Sequence, residues 1–144
     1  MGIISTGLGF STSSGEISQG LCVPTNASNL VFTWDFLSHE FLTYCGSQFQ
    51  DEFQVVFVPN GGSEQILFRR QVDDLCGSVT AIAVDFGQGG DPDGVFHTGF
   101  QTTSVDITSL QGVSGRLILR TQDVGDSIYD TAVLLDEIGI QLAP

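Results

Sequence analysis

The chain contains no lysine, four arginines, two histidines, one tryptophan and one methionine among its 144 residues. Against Arg69, Arg70, Arg116 and Arg120 stand seventeen Asp and Glu, for a formal net charge of −13 and a pI near 4.1. Such a surface repels a phosphate backbone or an anionic bilayer, so nucleic acid and direct lipid contact are not expected partners. No apolar run approaches the roughly 20 residues that cross a membrane. The opening Met1-Gly-Ile-Ile-Ser-Thr-Gly7 lacks the basic and apolar regions of a signal peptide. Nowhere do apolar residues keep helical spacing for three turns.

Cysteine is sparse and odd in number. Cys22, Cys45 and Cys76 have no CxxC spacing and no histidine pair beside them, which argues against zinc. Two thiol arrangements stay open: one disulfide with one free thiol, Cys45–Cys76 being the first choice, or three buried reduced thiols. Catalytic signatures are missing as well. There is no Gly-x-Ser-x-Gly elbow, His39 and His97 lie in unrelated contexts, and no two carboxylates are marked as a glycosidase pair. A non-enzymatic role is expected.

What is present favours strands. Hydrophobic residues make up 41%, eleven of them Phe, enough for a real core in one domain spanning 1–144. Val, Ile and Thr are plentiful, and apolar residues alternate: Leu30, Phe32, Trp34 and Phe36 share one face, as do Phe49, Phe53, Val55 and Phe57. That phase places Trp34 in the core. Further strands are expected over 16–23, 65–70, 78–86, 100–107, 116–121 and 132–142. Turn chemistry separates them at Pro24–Ser28, Pro59–Gly62 and Gly87–Gly94. About eight short strands without a helix predict an antiparallel β-sandwich, a jelly roll in type.

Two stretches set acids among apolar residues, Phe36–Phe53 and Asp123–Ile138. An unpaired carboxylate beside a core strand is costly, and four arginines are few counter-ions. Oxygen-only ligands suit a hard cation such as calcium. In the second stretch Asp123, Asp126 and Asp130 stand three and four apart around Gly125, so a curled loop can turn several carboxylates inward. Alternatively, Asp126 and Asp130 cap a turn by accepting backbone N–H groups, and Asp51 pairs with an arginine. Asp91-Pro-Asp-Gly94 opens like an EF-hand loop, but Val95 and Thr102 stand where ligands belong, so it reads as a surface loop.

The run Phe36-Leu-Ser-His-Glu-Phe, continuing to Ser47-Gln-Phe-Gln-Asp-Glu-Phe53, resembles a signature of bacterial choice-of-anchor domains, nearest to the L type. Asp123-Val-Gly-Asp-Ser-Ile-Tyr-Asp-Thr-Ala-Val133 is similar to their C-terminal signature, and the Leu135-Asp-Glu-Ile138 ending to the last strand of calcium-binding jelly-roll carbohydrate modules. Two positions depart from the pattern: His39 replaces the first of two Glu, and Gln50 an Asn. The resemblance implies a piece of a longer secreted or surface-attached protein, with adhesion or contact to a glycan or surface polymer. Carried over residue by residue, it nominates Glu40, Asp51, Asp126 and Asp130 as calcium ligands, with Asp123 and Asp136 as further candidates. Tyr44 and Tyr129, inside the acidic motifs, are placed to stack on a sugar near the metal, and His97 to join the ligand rim. The competing expectation is a structural spacer, or a self-associating subunit whose edge strands pair with neighbours.

Overall fold

The computed structural model describes residues 1–7, 12–86, 94–125 and 128–144. The loop Asp91–Asp93 and the candidate ligand Asp126 lie outside the described residues. Among the described residues ten strands run in the order β1 (Gly2–Ser5), β2 (Ser14–Cys22), β3 (Ala27–Ser38), β4 (Glu52–Pro59), β5 (Gln65–Gln71), β6 (Thr80–Ala81), β7 (Phe96–His97), β8 (Gln101–Asp106), β9 (Ser114–Gln122) and β10 (Thr131–Leu142). One sheet has the order β1-β10-β3, with β3 continuing to β8 along residues 29–34 and to β7 and then β6 at its end. The other has the order β2-β9-β4-β5, and every pairing is antiparallel. Leaving aside the two-residue strands, the sheets read 1-10-3-8 and 2-9-4-5, the strand order of a jelly roll.

Alternation builds the core as expected. Leu30, Phe32, Trp34 and Phe36 are buried against Phe53, Val55, Phe57 and Phe68 of the facing sheet. Phe32, Trp34, Phe53 and Phe68 meet edge-on or tilted, with centroids 5.3–6.2 Å apart, the arrangement that aromatic quadrupoles favour. Trp34 satisfies its indole N–H on Thr103 Oγ1 at 2.8 Å.

Three features depart from the sequence expectation. β1 is an additional strand, four residues long and therefore too short to show alternation. The expected strand over 78–86 is regular only at Thr80–Ala81. Residues 82–86 instead lay Ile82 and Phe86, together with Val95, over Leu37, Leu134 and Ala132 on the outer face of the first sheet. A single helical turn, α1 (Val72–Leu75), follows β5, fixed where the Asp74 carboxylate accepts the Gln71 N–H at 2.9 Å. One turn cannot carry a 3.6-residue period.

Candidate functional site: a buried acid cluster at one end of the sandwich

Register brings the two acidic stretches together. β3 ends opposite the start of β10, with Ser38 paired to Thr131, and β4 begins opposite the end of β9, with Glu52 paired to Gln122. The connections 39–51 and 123–130 therefore both cross between the sheets at the same end. Backbone bonds join them: the Gln50 N–H donates to Val124 O at 3.1 Å, and the His39 N–H to Asp130 O at 3.4 Å. Gly125 has φ +104°, and a Cβ there would stand 2.9 Å from Gln48 O, so only glycine allows this approach. Cys45 is bridged to Cys76 just beyond α1, tying the first connection to the second sheet's edge, while Cys22 is free and exposed. This is the first-choice pairing of the three cysteines.

Glu40, Asp51 and Asp130 are fully buried. Asp51 sits at the centre. One carboxylate oxygen accepts the Val124 N–H at 3.1 Å and the other the Thr131 hydroxyl at 2.6 Å, while its own N–H donates to Glu40 Oε2 at 3.1 Å. Burial, reinforced by the Glu40 and Asp123 carboxylates and opposed by the Thr131 and Val124 bonds, pushes the Asp51 carboxyl up to about 9. The arginine partner considered for Asp51 is absent from this set of contacts. Arg69 pairs with Glu52 and Arg120 with Glu64, while Arg70 lies 4.5 Å over the Phe68 ring.

Asp123, half-buried, follows β9 and adds its charge to Asp51. Asp136 is not in the cluster. It lies five residues beyond Thr131 on β10, about 17 Å along the strand, and its half-exposed side chain faces the chain's N-terminus at 3.7 Å. The strand's pleat carries it along the sheet rather than around the loop. Among the described residues, no three His, Cys, Asp or Glu side chains are grouped so as to hold a metal ion. The donor chemistry suits a hard cation, but the described carboxylates meet chiefly around Asp51, and Asp126 falls outside them.

Aromatic rings gather on the same two connections. Tyr44 and Tyr129 are half-buried with centroids 5.3 Å apart, Tyr44 meets Phe49 edge-on, and His39 stacks on Phe86 at 5.2 Å. Beside them Leu42 is 51% exposed with φ +71°, and Ile128 is exposed on the opposite connection. His97 stands apart from the tyrosine pair in the described contacts: in β7 its Nδ1 lies 2.8 Å from Asp35 Oδ2. Asp35 also accepts the Thr98 hydroxyl at 3.2 Å.

Two residues carried no signal as site candidates: Asp35, buried beside His97 and Thr98, and Thr131, which bonds the central acid. Thr131 reads in the sequence as an ordinary strand residue at the start of β10, and only its bond to Asp51 sets it apart. No family model matches the chain, and no curated protein matches it.

Proposed function

We propose that this domain is an extracellular or cell-surface, non-catalytic binding module of the choice-of-anchor kind, whose acidic end is tied together by calcium. The observation that carries the reading is Asp51: a fully buried carboxylate beside two other carboxylates, with no arginine in its hydrogen-bond set. A group in that setting either holds a proton at neutral pH or faces a cation. Glu40, Asp51 and Asp130 are the ligands this reading assigns, with Asp123 and Asp126 drawn from the second connection. Asp136 is left out because of its distance. The Cys45–Cys76 bridge supports an oxidising compartment.

A glycan or surface polymer then meets the same end, where Tyr44 and Tyr129 offer ring faces near the cation. Extracellular calcium modules bind at about 10⁻⁴–10⁻³ M, which suffices outside cells. Isothermal titration of the purified domain with calcium chloride tests the reading. A saturable heat in that range, lost in Asp51→Asn and not reproduced by magnesium, supports it. Absence of a saturable heat returns these acids to turn-capping roles and favours the structural-spacer reading.

A further inference from the structure

The sandwich is closed unevenly along the edge where β1 and β2 lie. At one end β1 packs against β2 so tightly that a Cβ on Gly15 would meet Ser5 O at 2.2 Å. β1 covers β10 only at residues 132–135, opposite Gly2–Ser5. Beyond it the two sheets gape, leaving an apolar groove of about 180 Å³ lined by Ile17, Gln19, Leu117, Leu119 and Ile138. Ile17 and Ile138 remain 39% and 41% exposed. Alongside runs β2, nine residues paired to β9 through its whole length and, among the described residues, to nothing on its other side. A long open edge without proline or lysine is a template for strand pairing.

We infer that this edge is a two-fold interface, at which β2 of one copy pairs antiparallel with β2 of a second copy around Ser18. The register follows from length and pleat. A two-fold normal to the sheet pairs residues of like parity, and centring it on Ser18 alone uses all nine residues, Ser14 facing Cys22 of the second copy.

On the groove face, Gln19 lies beside Leu117 and Ile17 beside Leu119 within one copy. Pairing adds Ile17 of the second copy to the first row, so each Ile17 is covered by the other copy's groove. On the outer face, Arg116 lies beside Gly20 and Arg120 beside Glu16. Pairing then places Glu16 of the second copy next to Gly20. Since Gly20 has no side chain, that carboxylate reaches across it to Arg116, which is exposed and whose own bond is to Ser18 Oγ. In a chain of net charge −13, β2 carries one acid, and this register sets it opposite glycine, flanked by two arginines. No acid faces another. The result is a closed pair with an eight-stranded continuous sheet.

Sedimentation equilibrium of the whole domain as Cys22→Ser, which removes the exposed thiol, tests this. A dimer mass that strengthens with added salt, as screening of the net charge requires, is expected. Ile17→Lys, at a position exposed enough to tolerate the change, is expected to return the monomer. In the same background Ser18→Cys should give a covalent dimer under mild oxidation. Paired Cα atoms at the axis stand about 4.5–5.5 Å apart, within disulfide reach. Ile66→Cys, on the opposite edge strand β5, should stay monomeric. A monomer at every concentration and salt overturns the inference. So does a dimer that survives Ile17→Lys, or equal cross-linking at positions 18 and 66.

Discussion

Thr131 donates its hydroxyl hydrogen to Asp51 Oδ2 at 2.6 Å, joining residues 80 apart in sequence at the point where both sheet-crossing connections meet. The same hydroxyl oxygen lies 2.9 Å from Ser38 Oγ, whose oxygen in turn accepts the Glu40 N–H at 2.9 Å. One buried threonine thus links the end of β3, the start of β10 and the central acid.

Replacing Thr131 by valine keeps the shape and removes the donor. Burying a carboxylate with one fewer hydrogen bond costs about 1–3 kcal/mol. Urea unfolding of Thr131→Val is expected to show that loss with an unchanged slope. A loss below about 0.5 kcal/mol would mean that the bond contributes little to the fold.

The pH dependence of the cation-free domain follows from Asp51. Its folded value is raised from 3.8 to about 9, so between those values the folded chain holds a proton that the unfolded chain has released. Stability contributed here is therefore greatest at the acid end of the window and falls as pH rises, with a slope approaching about 1.4 kcal/mol per pH unit. Denaturant unfolding in EDTA at several pH values between 5 and 8 should show this decline, and Asp51→Asn should flatten it. Stability that rises with pH over the same range in EDTA would contradict the assignment.

The Cys45–Cys76 bridge holds the connection that carries Glu40 and Asp51 to the turn after α1. Closing a loop with a sequence separation of 31 restricts the unfolded chain, and its loss costs about 2–4 kcal/mol. Cys45→Ser with Cys76→Ser should lower the thermal midpoint by roughly 7–13 °C and weaken calcium binding, read by the same titration. A double variant with unchanged midpoint and unchanged binding would make the bridge incidental to the site.

The fold was legible because burial repeats along each strand. The Leu30–Phe36 and Phe53–Phe57 alternations state which face is inside, and the turn residues state where strands stop. What escaped was short or non-local. β1 has four residues, α1 has one turn, and the 82–86 segment is apolar because it covers Leu37 on the outer face, an ordering that periodicity cannot distinguish from a strand. In the candidate site, Glu40, Asp51, Asp123 and Asp130 were readable as acids interrupting apolar runs, and register then brought them to one end. Asp136 fits the same sequence description, yet strand geometry carries it along the sheet. Asp35 was invisible because nothing local announces that His97 and Thr98 will face it.

The most direct test of the central claim is thermal unfolding of the domain in calcium, in magnesium and in EDTA, at a calcium concentration about tenfold above a 10⁻⁴–10⁻³ M dissociation constant. Binding confined to the folded chain at that excess stabilises it by about 1.4 kcal/mol, a rise of roughly 3–6 °C for a domain of this size. The account predicts that rise in calcium, much less in magnesium, and none in Asp51→Asn. Identical midpoints in calcium and EDTA would contradict it, leaving Asp51 as a protonated carboxyl buried among its neighbours.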